Sequence, residues 1–251
     1  MPQFDSAGVR IHYEVFGEGK PILMVHGFTA SLESNWVRPG WVETLSPIRQ
    51  VVALDCRGHG KSGKPYDPQA YAGHEMEDDV IRLMDLLSIE LADLFGYSMG
   101  ARIAFRLMLR HPQRFTSVVL GGIGADLALR GGGRPNVVEA LLAEDPSKIT
   151  DPVGKGFRIV AEASKNDLKA LAAYQQATQE RITEADLLQV TLPVLIVIGE
   201  DDAIAGSPDV LANGIPNARL IKIPEREHLT VVPDARFKEA VVGFLTEQPA
   251  G

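Results

Sequence analysis

A serine, a histidine and a carboxylate are the side chains whose types and order could build a nucleophilic centre in this chain. Ser98 stands in Gly96-Tyr97-Ser98-Met99-Gly100, which matches the G-x-S-x-G nucleophile-elbow pattern. A serine hydroxyl is a weak nucleophile near neutral pH, so it needs a base within hydrogen-bond reach, and the base needs an orienting partner. Six histidines supply the candidates. His12 falls in an early hairpin and is expected at the surface; His26, before Gly27 at a strand end, suits bracing of its loop. His59 and His74 fall in a loop and near a helix start, and His111 falls at a helix end. His228 follows the last strand, which makes it the candidate base. The acid should come from a loop between serine and histidine in chain order. Glu200, Asp201 and Asp202 directly follow an apolar strand-like run, and only one of these neighbours can face the imidazole.

Those side chains need elements to carry them. Before Ser98 the chain reads as a buried strand; after it, Ala101, Ala104, Phe105 and Met108 recur at helical spacing to about Arg110. The two small residues let that helix lie close to a sheet, and Gly96 and Gly100 allow the tight strand-to-helix turn. Pro112 ends it, and Ser98 would sit at the positive helix end, where an anion is favoured.

Further strands are expected at Phe4–Ala7, Val9–Phe16, Pro21–Val25, Gln50–Asp55, Thr116–Leu120, Val194–Ile198 and Ala218–Ile223. Helices are expected around Trp36 and Trp41, over Glu75–Ser88 and over Asp234–Thr246. Between residues 125 and 185 no strand pattern occurs. Gly131-Gly132-Gly133 makes a flexible start there, and three helical patterns follow, broken at Pro146 and Pro152. Short apolar strands alternating with amphipathic helices imply an α/β protein with a mostly parallel sheet covered on both faces. Ligands of such sheets bind beyond the carboxyl ends of the strands, where His26, Asp55, Ser98, Asp202 and His228 all fall.

Composition narrows the function. A formal charge of −8 over 251 residues, with no Lys/Arg block, argues against a general nucleic-acid or anionic-membrane binder. Cys56 is the single cysteine, which rules out an intrachain disulfide and a Cys-rich metal site. No basic, apolar leader opens the chain and no apolar run reaches membrane-span length, so a cytoplasmic location is the default expectation. Gly58-His-Gly-Lys61-Ser62 imitates a P-loop tail, but Asp55 stands where the first glycine belongs. Gly121-Gly-Ile-Gly124 lacks the third glycine of a dinucleotide fingerprint.

Taken together, His26-Gly27-Phe28, Asp55-x-Arg57-Gly58-x-Gly60-x-Ser62, the Ser98 pentapeptide, Gly199-x-x-Asp202 and His228 resemble the α/β-hydrolase superfamily over nearly the whole chain. The resemblance implies an eight-stranded sheet flanked by helices, with a core of residues 1–124 and 186–251 and a small helical cap, 125–185, inserted after strand six. It favours Asp202 as the acid and maps the oxyanion hole to the backbone N–H groups of Phe28 and Met99. It implies no cofactor, no metal and a small-molecule ester, thioester or lactone as substrate. Trp36, Trp41 and Tyr97 are expected to border the substrate pocket, or else to be packing. Ser98 stands where the dehalogenase and epoxide-hydrolase branches use aspartate, which excludes those branches. Alternatives on the same scaffold are C–C bond hydrolysis, cofactor-free oxidation, or a ligand-sensing protein with a slow hydrolase site.

Overall fold

A computed structural model describes residues 2–129 and 133–247. Eight strands form one sheet: β1 (Gln3–Ser6), β2 (Val9–Phe16), β3 (Pro21–Val25), β4 (Gln50–Leu54), β5 (Ala92–Tyr97), β6 (Phe115–Gly121), β7 (Val194–Gly199) and β8 (Ala218–Ile223). The helices are α1 (Trp41–Leu45), α2 (Glu75–Leu86), α3 (Met99–Arg110), α4 (Ala125–Ala128), α5 (Pro135–Leu142), α6 (Pro152–Ala163), α7 (Leu168–Gln176), α8 (Glu184–Leu187), α9 (Asp209–Gly214) and α10 (Ala235–Glu247). Strand order is β1-β2-β4-β3-β5-β6-β7-β8. The first two strands run antiparallel at one edge, and every pairing from β4 onward is parallel. Ala7 (φ 51°) and Gly8 (φ 82°) both take left-handed backbone in the hairpin turn, the conformation a two-residue turn needs to match strand twist.

Strands buried on both faces send alternate residues into two separate layers. Leu23, Val25, Leu94, Val118 and Ile196 pack under α2 and α3, while Ile22, Met24, Phe95, Val119 and Val197 face α1 and α10. Trp36 and Trp41 belong to the second layer. Both are fully buried against Phe95, with ring centroids 4.8 and 4.9 Å away, and Trp41 also packs on Phe237. The expectation that they border the substrate pocket is therefore corrected: two indoles have enough apolar area to fill the layer beneath the site. Trp41 still bears on the site, because its Nε1 donates to the Val232 carbonyl at 2.8 Å, in the loop after His228.

His12 is also corrected from surface to core. It is fully buried, with Nδ1 3.0 Å from Asp55 Oδ2. Asp55 accepts as well from the Leu32 and Lys61 backbone amides, each at 2.8 Å, and so ties its own loop to β2 and to the loop after β3. A Cβ on Gly60 (φ +49°) would overlap that carboxylate, which explains the glycine. Arg57 pairs with Asp79 at 2.6 Å and Ser62 Oγ donates to the Asp55 carbonyl at 2.6 Å. The segment that imitates a P-loop is thus spent on bracing.

Between β6 and β7 the described chain is helical, in five helices rather than three patterns. Gly131 and Gly132, read as the flexible start of this insert, lie outside the described residues. Pro152 opens α6 instead of breaking it. Proline's missing N–H costs nothing at a first helical position, and Asp151 caps the turn by accepting from Gly154 N at 2.6 Å. Val137, Leu141, Ala161 and Leu171 give the insert its own small core, against which Phe28 packs. The short α9 carries too few apolar residues to show a period in sequence. Among the described residues no helix is long and apolar enough to cross a membrane.

Backbone packs against backbone at the start of α3. A Cβ on Gly100 would overlap the Val25 carbonyl, and one on Gly96 would overlap the Gly100 carbonyl. Backbone on both sides leaves nothing that can rotate away. Gly100→Ala is expected to cost about 3 kcal/mol, the upper range for overpacking, which is roughly 6–12 °C in Tm for a chain of this size. Calorimetry checks it, and an unchanged Tm would show that the strand and helix can separate.

Candidate active site

Ser98 joins β5 to α3 with φ 53° and ψ −111°, a left-hand backbone setting that only a rigid surrounding sustains. Its amide donates to the Gly121 carbonyl on β6 at 2.8 Å, and its carbonyl accepts from Arg102 N at 3.1 Å. Both ends are therefore held, and the hydroxyl stands clear of the sheet. Its Oγ lies 2.9 Å from His228 Nε2, and His228 Nδ1 lies 2.7 Å from Asp202 Oδ2. A carboxylate oxygen accepts, so Nδ1 carries the imidazole proton and Nε2 is free to accept from the Ser98 hydroxyl.

The carboxylate is fixed in turn. Asp202 Oδ1 accepts from the Ile204 and Ala205 amides at 3.0 Å each, and its side chain is fully buried. Glu200 and Asp201 are exposed. Gly199 is required because a Cβ there would overlap the Arg226 carbonyl, where the β7 end meets the loop leading to His228. Glu200 N and Asp201 N donate across the same gap, to Ile223 O at 2.9 Å and Arg226 O at 3.0 Å. Arg226 then reaches Asp234 at 2.6 Å, and hydrogen bonds from Arg236 hold that carboxyl well below the usual carboxylate range. The acid turn and the histidine loop are laced into one unit.

Phe28 and Met99 lie on the other side of the serine. Met99 opens α3, so its N–H is one of the donors a helix start leaves unpaired. Gly27 backs onto Ser98, since a Cβ on it would sit 3.4 Å from Ser98 Cβ. Asn35 Oδ1 accepts from Gly27 N at 3.0 Å, and His26 Nδ1 donates to the Gly27 carbonyl at 2.8 Å while its Nε2 accepts from Cys56 N at 3.0 Å. Asn166, from the insert, donates to the Thr29 carbonyl at 2.6 Å. Asn35 and Asn166 were missed in the sequence, where a lone asparagine in a loop carries no signal.

Tyr97 borders the cleft, but its hydroxyl donates to the His228 carbonyl and its ring faces the imidazole, with centroids 5.5 Å apart. Tyr97 thus borders the cleft as expected and also holds the histidine loop. Burial and the Asp202 charge push its phenol well above the ordinary value.

A mostly apolar cleft of about 530 Å³ opens over Ser98 and His228. Its floor is Gly27 to Ala30, its far wall is Pro152, Val153, Phe157 and Val160 of α6, and Leu229 and Val232 close one side. A second cavity of about 60 Å³ shares Ser98, Phe28, Phe157 and Ile204 with it, but adds charged groups. Among the described residues no group of three His, Cys, Asp or Glu side chains is arranged to hold a metal ion.

Residues 20–133 match the family model described as "alpha/beta hydrolase fold". Among curated proteins, the chain is 30% identical to a 2-hydroxymuconate semialdehyde hydrolase of Pseudomonas sp. (strain CF600), covering 98% of this chain and 93% of that one. It is 25% identical to 3-oxoadipate enol-lactonase 2 of Acinetobacter baylyi, covering 94% and 93%. Among solved structures, an enol-lactonase from Burkholderia xenovorans LB400 superposes with a TM-score of 0.80 at 27% identity, covering 98% of this chain and all of that one (100%).

Two measurements test the bracing. Tyr97→Phe leaves the buried His228 carbonyl without its donor and is expected to cost about 1–3 kcal/mol in chemical denaturation; an unchanged midpoint would free the loop from this bond. His26 and His59 are both pushed below the ordinary imidazole value of 6.5 by burial, His59 to about 3. For His59 only the unfolded chain takes up the proton between about pH 3 and 6.5, and the His26 shift has the same sign, so stability is complete above about pH 6.5 and falls as pH drops toward 3. The denaturation midpoint is expected lower at pH 5 than at pH 7. His59→Asn should shrink that difference, and an equal difference in both proteins removes His59 as its source.

Proposed function

The chain belongs to the α/β hydrolase fold family, and from that premise we propose that it is a serine hydrolase cleaving a small-molecule ester, thioester or lactone through an acyl-enzyme. The observation that carries this reading is the unbroken hydrogen-bonded row from Ser98 through His228 to a fully buried Asp202, facing an apolar cleft.

In the proposed reaction the Ser98 oxygen attacks the substrate carbonyl carbon while its proton passes to His228 Nε2. Asp202 keeps the imidazole in the Nδ1–H tautomer and stabilises the imidazolium as it forms. The negative oxygen of the tetrahedral intermediate is held by the Phe28 and Met99 N–H groups, and each such donor is typically worth about 2.7–4 kcal/mol at the transition state. Protonated His228 gives its proton to the departing alcohol, thiol or lactone oxygen. Water then repeats the sequence on the acyl-enzyme, with His228 again as base. No cofactor enters these steps. A cleft of about 530 Å³ suits a small-molecule substrate and lies within the range of common ligand pockets.

The 30%-identical relative acts, by its name, on a semialdehyde. That favours one second reading, hydrolysis of an activated C–C bond by the same groups, which an assay on vinylogous diketones run beside the esters separates.

An organofluorophosphonate is expected to label Ser98, and a panel of esters, thioesters and lactones to be turned over. Ser98→Ala should lower kcat by about 10⁴–10⁶-fold and Asp202→Asn by about 10⁴-fold, with Asp201→Asn causing little loss. Equal losses at 201 and 202 would overturn the acid assignment. Labelling at Ser98 without turnover of any substrate would move the protein to the ligand-sensing class.

A further inference from the structure

Four arginines are buried among the described residues: Arg57, Arg102, Arg106 and Arg158. Three of them have a carboxylate in contact. Arg57 pairs with Asp79 at 2.6 Å, Arg106 with Glu77 at 3.0 Å and Arg158 with Glu162 at 2.6 Å. Arg102 has none. It is 9% exposed, its Nε meets no partner, and its one hydrogen bond is a long one, from Nη2 to the Glu180 carbonyl at 3.4 Å. A buried guanidinium with no carboxylate in contact is costly to keep; Glu77 acts on Arg102 only from a distance and is in contact with Arg106, one turn further along α3. Arg102 is also one turn from the nucleophile and lines the small cavity that Ser98 and Met99 share.

We propose that this cavity is a subsite for a carboxylate carried by the substrate, with Arg102 as its anchor. The claim rests on the serine-hydrolase reading of Ser98 and names the class of ester that reading leaves open. A guanidinium presents a planar fork of donors that matches the two oxygens of a carboxylate. Size selects the group: by the measure in which one water needs about 10–15 Å³, a cavity of about 60 Å³ holds a carboxylate and a carbon or two. Among the described residues its charged lining is Arg102, Arg134 and Asp126. Ser98 lies where this cavity meets the apolar cleft, so a substrate can place its carboxylate on one side of the scissile bond and its apolar part on the other.

The test compares monoethyl with diethyl esters of succinate, glutarate and adipate, which differ only in whether the far end is charged. In the wild-type protein kcat/KM is expected to favour the monoethyl ester of at least one chain length by tenfold or more. Arg102→Gln should collapse that ratio by tenfold or more, mainly through KM, and Arg102→Lys should restore part of it. The ratio is read within each variant, so a general loss from misfolding does not imitate it. A second reading needs no turnover: free glutarate should protect Ser98 from an organofluorophosphonate in the wild type, and at least tenfold more weakly in Arg102→Gln. Turnover of both ester types with no preference for the monoanion overturns the subsite and leaves the serine-hydrolase reading intact, as does an equal fall on both in Arg102→Gln. Residue-102-dependent protection in a protein that cleaves none of the esters supports the subsite and overturns the ester reading.

Discussion

Backbone meets backbone where β3, β5 and the start of α3 converge, and the site depends on that approach. Gly100 lies against the Val25 carbonyl and Gly96 against Gly100, with no room for a side chain on either. Because the helix start is pressed this far into the sheet, the residue between strand and helix takes φ 53° and its side chain is lifted off the surface. The same contact aims the first free N–H groups of α3 at the space above the sheet. Strain at Ser98 is thus stored locally and sustained by the strand on each side, through the hydrogen bond from the Ser98 amide to the Gly121 carbonyl and the close contact of Gly100 with Val25.

Around that fixed point, the remaining groups arrive on loops, and loops need bracing. Asp55 gathers the β2 side chain His12, the Leu32 amide and the Lys61 amide. Tyr97, Trp41 and the Arg226–Asp234 pair grip the histidine loop from below, beside and behind. Most of these contacts are buried or part-buried, so loss of one partner leaves the other stranded, and they specify one arrangement. The hydrogen bonds of 2.7 and 2.9 Å that join Asp202, His228 and Ser98 are the product of those contacts as much as of the three side chains themselves.

The two sides of Ser98 differ in kind. Toward α6 the surroundings are apolar and roomy; toward Arg102 and Asp126 they are charged and small. Phe28 and Phe157 take part in both, with rings 5.5 Å apart, so they form the divide between the two spaces. The insert between β6 and β7 supplies most of what distinguishes the sides, whereas the ends of the sheet strands carry Ser98, Asp202 and His228.

Sequence alone determined the α/β class and the parallel sheet with its antiparallel edge, and it singled out Ser98, Asp202 and His228. Each follows from a local signal: apolar runs of strand length, a 3.6-residue period, and glycines where only a missing Cβ permits the turn. The start of α6 at Pro152 and the short α9 were less legible, because a proline both stops and opens helices and a six-residue helix shows no period. Trp36, Trp41 and His12 misled for one reason: a side chain's direction depends on which layer its backbone faces, and residue type does not encode that. Only the tertiary structure decided that the indoles fill the layer beneath the site, that Asn35 and Asn166 hold the Phe28 loop, and that Arg102 is buried without a carboxylate while Arg106 has one. Partners far apart in the chain leave no trace in local spacing; they exist as pairs once the sheet has brought their loops to one edge.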